Sequence, residues 1–169
     1  VGFDSSSVPW SAGNPYLRLV GYGLVDTYNG NVQLVKHGDD FFSDMFLDKY
    51  QDKVIEMPTW LEEQIRYPQE LFNWRTEMYN IYHVTDVDIF IQANEFYEIP
   101  RGLDTYYIEA KPPGFEEPEF VGLLSLELRG SQGRNLAGYM VVENDTPNLG
   151  RMQFYEVPIE SETKLLGPT

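Results

Sequence analysis

The spacing of apolar and polar positions changes character twice along this chain. In YLRLVGYGLVDTYNGNVQLVKHG (residues 16–38) two β-prone runs flank Asn29-Gly30. That dipeptide supplies the positive φ of a type I′ turn, so the segment predicts a β-hairpin. Residues 39–94 then read as a helical block. DDFFSDMFLDKYQ opens with acids suited to the positive end of a helix. Thr59-x-x-Glu62 has the form of a capping box. A third helix starts near Pro68, whose missing N–H costs nothing in a first turn. On it Leu71, Trp74, Met78, Ile81 and Tyr82 recur at spacings of three and four, widened on one side by Phe72 and Tyr79, a stripe expected to dock on a sheet. Gln69, Asn73, Thr76 and Asn80 lie elsewhere on that helix. A fourth helix is expected from Thr85, with Asp88 in the box position and Val84 and Ile89 as a hydrophobic staple.

Extended character returns in TYYIEAK (105–111), EFVGLLSLELR (119–129) and RMQFYEVPI (151–159). In the second of these, Leu124, Leu126 and Leu128 alternate with Ser125 and Glu127, as in a half-buried strand. NLAGYMVVEND (135–145) fits either a strand or a short helix. The sum is an α+β fold: an antiparallel sheet with an N-terminal β-hairpin and a helical insertion between its second and third strands. Residues 1–15, rich in Ser, Gly and Pro, read as a flexible lead-in to a single domain over 16–169.

Composition narrows the functional classes. Twelve Lys and Arg against 27 Asp and Glu give a formal charge of −15, a field that repels nucleic-acid backbones and anionic lipid surfaces. No nucleic-acid partner is therefore expected. The absence of cysteine excludes disulfides, thiolate metal sites and cysteine nucleophiles. No apolar run reaches the roughly 18 residues of a membrane-spanning helix. The abrupt ends, Val1 without a Met and a close on LLGPT, read as an excised piece of something longer or as a processed chain.

Candidate chemistry is sparse. RYPQELFNWRTEMYNIYHVTD (66–86) gathers Arg66, three tyrosines, Trp74 and His83, one of two histidines. His83 falls at the C-terminal end of the predicted helix, where an imidazolium interacts well with the last carbonyls. Arg66 precedes the first turn, where a cation opposes the helix dipole and calls for a carboxylate partner. RGSQGRN (129–135) could present guanidinium forks and backbone donors to an anion, which makes Arg129, Arg134 and Asn135 binding candidates, with Arg66 and His83 the further ones. The adjacent acid pairs Asp39/Asp40, Glu62/Glu63 and Glu116/Glu117 read as solvated faces rather than acid–base dyads. Asp26, Asn29 and Asn31 read as turn chemistry, since the later ligands of a calcium loop are missing. No zinc spacing, phosphate loop or nucleophile elbow occurs, so no catalytic residue, metal site or cofactor is assigned. NDT at 144–146 is a glycosylation sequon.

One stretch carries a resemblance. RYPQELFNWRTEMYNIYHVTD is similar to the RYPEDLF…RYHVTD signature of uncharacterised protein family number 0182. GLVDTYNGNVQL, EFYEIP, YYIEAKPPGFEEPEFVGLLSL, RGSQGRNLAGYM and GRMQFYEVP resemble its other segments in order, from about residue 16 to 168. The pattern departs at Glu127-Leu128, where relatives usually carry Thr-Pro. The resemblance implies a multi-pass prokaryotic membrane protein with a large extracytoplasmic region, of which this chain would be a soluble piece. It implies no activity, cofactor or catalytic residue. The reading that follows is a non-catalytic interaction or assembly module on the outer face of the membrane. Its partners would be other segments of the parent or envelope proteins. The alternative is a solute- or saccharide-binding domain or hydrolase using carboxylates with Arg129 and Arg134.

Overall fold

The structure is a computed structural model that describes residues 2–3, 16–92, 96–129, 135–158 and 165–167. It is α+β, and the chain divides into two compact units, Val1–Gln64 and Ile65–Thr169. In the first unit β1 (Gly2–Phe3) pairs with β2 (Tyr16–Leu17). The expected hairpin is β3 (Gly21–Val25) against β4 (Val32–Lys36), in register from Gly21↔Lys36 to Val25↔Val32. Its connection is a six-residue loop rather than the predicted two-residue turn. The Asp26 side chain accepts from the Tyr28 N–H and the Asn29 side chain from the Asn31 N–H, while Gly30 takes the positive φ of 76°. The Asp and Asn residues are thus turn formers, each satisfying a backbone donor two residues on.

After the hairpin come α1 (Phe41–Leu47), a 3₁₀ segment (Asp48–Lys53) and β5 (Val54–Ile55), which pairs parallel with β4. Asp40 caps α1: its carboxylate accepts from the Phe42 and Ser43 N–H groups and from the Ser43 hydroxyl. The α2 turn (Thr59–Glu62) has no side-chain cap, so the Thr59/Glu62 box does not form. Pro58 stands at the N-cap there and leaves Thr59 already inside the helix.

The second unit is built on α3 (Gln69–Tyr82), α4 (Val87–Gln92) and a sheet of β6 (Tyr97–Glu98), β7 (Tyr106–Ala110), β8 (Glu119–Leu128), β9 (Leu136–Glu143) and β10 (Met152–Glu156). Among the described residues the order is β10-β9-β8, with β7 and β6 pairing with opposite ends of the free edge of β8, all antiparallel. The segment left open between helix and strand is β9. Seven of its eight residues are buried, so it lacks the alternation that would have declared it. Val121, Leu124, Leu126, Ala137 and Val142 are fully buried and form the sheet's share of the core.

The α3 helix docks on this sheet by the Phe72 side of the expected stripe rather than by its centre. Its buried row is Phe72, Thr76 and Asn80, with Leu71 beside it. Trp74 and Met78 each stand two residues from Thr76, roughly 200° around the helix. They and Ile81 are half-buried, and Tyr82 is exposed. The sheet offers partners beside that row. Asn73 accepts from the Thr105 hydroxyl, Arg75 donates to the Gly150 carbonyl, and Tyr79 packs its ring on Phe154. These contacts hold the flanks of the buried row, whereas Thr76 Oγ1 and Asn80 Oδ1 on the row itself are buried without a hydrogen-bond partner among the described residues. The α4 cap is likewise shifted by one residue: the Asp86 side chain accepts from the Asp88 and Ile89 N–H groups, not Thr85.

Candidate functional site

The two ends of the Arg66–Asp86 stretch are held at different places on the sheet. At its start, Tyr67 is buried and pinned from three directions. Its N–H donates to Asn144 Oδ1 at 2.7 Å, its hydroxyl accepts from Arg75 Nη1 at 2.9 Å, and its carbonyl accepts from the Tyr107 hydroxyl at 3.3 Å. Arg75 also donates to the Gly150 carbonyl at 2.7 Å, which ties α3 to the β9–β10 connection. Arg66 itself is exposed. Its guanidinium lies 5.3 Å from the Tyr107 ring centre and 5.1 Å from that of Phe120. The cation expected to need a carboxylate is instead held over aromatic faces. Burial pushes the Tyr107 hydroxyl pKa up, and the Arg66 charge acts against that rise.

Beside this corner the β8–β9 pairing brings Glu119 towards Glu143 and Asp145. Glu143 pairs across from Val121, two residues from Glu119, and the Asp145 carboxylate accepts from the Phe120 N–H. Glu143 is only 2% exposed, with Arg151 Nε 3.2 Å from its Oε1. Burial raises its pKa above the ordinary carboxylate value. Glu119 and Asp145 add to the rise, while Arg151 and an Asn148 hydrogen bond oppose it. This is the titratable group that reading the sequence missed. Its signal was an acid closing the buried run LAGYMVVE. Asn144, next in the chain, is 1% exposed and already committed to Tyr67, so the sequon asparagine presents no accessible acceptor.

At the other end, His83 caps α3. Its Nδ1 is 2.8 Å from the Tyr79 carbonyl, and its ring stacks on Tyr97 at 4.2 Å and 10°, and on Tyr79 at 5.2 Å and 22°. Tyr97 pairs with Leu128, and the next N–H, of Arg129, donates to Phe96. Asn135 accepts from the Leu128 N–H and bridges to Leu166. The fold therefore brings His83, Arg129 and Asn135 to one end of β8 and leaves Arg66 at the other. Nine residues of extended strand separate Phe120 from Arg129, roughly 30 Å. Arg129 is exposed, and Arg134 lies outside the described residues. The acid pairs also separate by role. Asp40 is a cap bonded to Arg18, Asp39 is a surface partner of Lys36, and Glu62, Glu63, Glu116 and Glu117 are exposed. Among the described residues, no group of three or more His, Asp or Glu is placed to hold a metal ion.

The family can now be stated on independent grounds. Residues 16–169 match the family described as Uncharacterised protein family (UPF0182). The chain belongs to it. Relatives in this family include a UPF0182 protein of Sulfurovum sp. (strain NBC37-1), 32% identical over 148 residues, which cover 80% of this chain and 16% of the relative. A UPF0182 protein of Methanospirillum hungatei is 32% identical over 154 residues, covering 83% of this chain and 17% of the relative. One of Salinibacter ruber is 30% identical over 159 residues, covering 86% and 17%. The chain thus spans about a sixth of the UPF0182 proteins it matches. No solved structure matches it. Among the described residues no helix is long and apolar enough to cross a membrane.

Proposed function

We propose that this chain is part of the extracytoplasmic region of an integral membrane protein. There it acts as a non-catalytic interaction or assembly module, with other segments of its parent or envelope proteins as partners. The family resemblance supports the membrane setting, and the short share of its relatives that the chain covers agrees with a larger parent. One observation carries the non-catalytic reading. The side chains of the signature stretch that looked chemical are engaged in packing, His83 on two tyrosine rings and Arg66 on Tyr107 and Phe120. The solute- or saccharide-directed alternative has weaker support. Arg129 stands at the opposite end of β8 from Glu143, roughly 25 Å along the strand.

A thermal-shift panel tests the reading, with calcium, magnesium, zinc, nucleotides and envelope saccharides. A ligand at 100 times its dissociation constant adds about 2.7 kcal/mol, which at this length raises the midpoint by about 5–10 °C. The expected result is a flat panel, and one saturable shift would replace the module by a ligand site. The setting is tested in the full-length parent. Asn29→Cys, in an exposed loop of a segment without cysteine, should react with a membrane-impermeant maleimide in intact cells. Labelling only after lysis would place the chain inside.

A further inference from the structure

Asn29 and Gly30 lie in the loop between β3 and β4, where both are exposed beside Tyr28. This is the chain's one Asn-Gly, and no Asp-Gly occurs. Gly30 holds a φ of 76°, and nothing stands within 4 Å of where a Cβ would be. The Asn29 amide is held rather than free. Its Oδ1 accepts from the Asn31 N–H at 2.8 Å, which folds the side chain back over its own Gly30 peptide. An attack of the Gly30 nitrogen on Asn29 Cγ therefore finds an unhindered nucleophile and a carbonyl held near it. It also finds a donor already on the oxygen that gains charge. One contact opposes the attack. The Gly30 N–H donates to the Asp26 carbonyl at 2.8 Å, and the nitrogen must leave that bond before losing its proton. A solvent-exposed hydrogen bond is worth little net, and slows the step by about tenfold at most.

We propose that Asn29 is a site of spontaneous modification in the folded chain, closing to a succinimide with Gly30 and opening to isoaspartate. The deprotonated Gly30 nitrogen forms a bond to Asn29 Cγ, and the side-chain nitrogen leaves as ammonia. Water then opens the ring at either carbonyl, giving aspartate or isoaspartate. In isoaspartate the main chain runs through Cγ and is longer by one methylene. The former main-chain carbonyl carbon becomes a free carboxylate, so the loop gains one negative charge. The added methylene falls inside the turn that the Asp26 N–H closes on the Asn31 carbonyl at 2.9 Å, next to the Val25↔Val32 pair. The change thus loosens the loop end of the hairpin. It stands independently of the module reading.

The test is peptide mapping by mass spectrometry of the 169-residue chain, aged at neutral and at mildly alkaline pH. A free peptide with the sequence of residues 26–32 is aged beside it. Loss of the Asn29 amide is expected within about tenfold of the free-peptide rate, and faster at the higher pH because the nitrogen attacks only after losing its proton. Isoaspartate should exceed aspartate, as read by a methyltransferase specific for isoaspartate, since the two products share one mass. Gly30→Asn places a side chain that tolerates positive φ beside the attacking nitrogen. It should slow loss of the Asn29 amide at least about tenfold. A folded-chain rate below the stated limit would mean that the turn protects Asn29, and would overturn the proposal. Aspartate without isoaspartate would mean direct hydrolysis and overturn it too. So would an unchanged rate in Gly30→Asn, which would show that the Gly30 nitrogen is not the nucleophile.

Discussion

Two carboxylate–cation groups in this chain use the same side-chain types and behave in opposite ways. In the N-terminal unit, Lys36 Nζ lies 2.9 Å from Asp39 and 2.7 Å from Asp44, with Asp39 99% exposed. The lysine pKa is held above its ordinary value by hydrogen bonds to Asp44 and Asp39, and that of Asp39 is lowered by Lys36. In the C-terminal unit, Glu143 faces Arg151 at 3.2 Å but is buried beside Glu119 and Asp145, and its pKa rises. Distance does not separate the two groups; solvation does. Where water reaches the pair, attraction settles the charged forms and contributes little. Where it does not, the loss of hydration outweighs the nearby guanidinium. The exposed group decorates the fold, whereas the buried one belongs to the corner that locks Tyr67, Arg75, Asn144 and Gly150 together.

The hardest blow to that corner should be Gly150→Ala. Gly150 has φ of 85°, and an added Cβ would fall 2.5 Å from Tyr67 Cε2. Left-handed strain and overpacking together should cost about 2–5 kcal/mol in chemical denaturation. A loss too small to resolve would mean that the corner yields. Asn144→Ala should come next. It strips the buried Tyr67 N–H of its acceptor, a loss of about 1–3 kcal/mol. Hydrogen exchange at the Tyr67 amide gives a second reading, with protection expected to fall in the variant more than global stability explains.

The helix α3 shows how far the sequence could be read. Its existence, its start at Pro68 and its end at His83 follow from local rules. So do the pairing of the hairpin strands, the strands β7, β8 and β10, and the turn role of Asp26 and Asn29, whereas β9 stays open between strand and helix. The rotation of α3 does not follow, because Asn73 and Arg75 find partners 32 and 75 residues away. Apolar spacing describes which face could be buried; contacts far away in sequence, invisible to that spacing, accompany the face that was. The same limit applies at the site. Asn144 reads in sequence only as part of a sequon, and nothing local marks the bond its side chain accepts from the Tyr67 amide, 77 residues earlier. Glu143 gave little sign of its surroundings: Asp145 is two residues on, but Glu119 reaches it only through the pairing of β8 with β9. Arg66 and His83 share one short stretch, yet a 14-residue helix carries them to opposite ends of β8.

The two groups should also part in their pH dependence, with opposite signs. The folded Glu143 pKa is raised, so its contribution is fully present below the unfolded value of 4.5. It is lost as pH climbs from there through the folded pKa. Glu143→Gln mimics the protonated form at every pH. Thermal midpoints measured across this range should therefore show the parent falling relative to the variant as pH rises above 4.5, then levelling. A constant difference would mean that Glu143 is ionised at its ordinary pKa and that the corner admits water.

In the exposed group the sign reverses and the effect is smallest. Asp39 is lowered from 3.8 by Lys36, and Asp40 is drawn down to about 2, chiefly by the Ser43 hydroxyl. Their contributions are present above pH 3.8 and fade only as pH falls below it. Asp39→Asn should leave the midpoint at neutral pH within replicate scatter, at low and at high salt alike, because Lys36 keeps Asp44. A clear salt-dependent loss would show that this rim is a coupled network after all. The contrast between the groups would then rest on how many charges each joins rather than on burial.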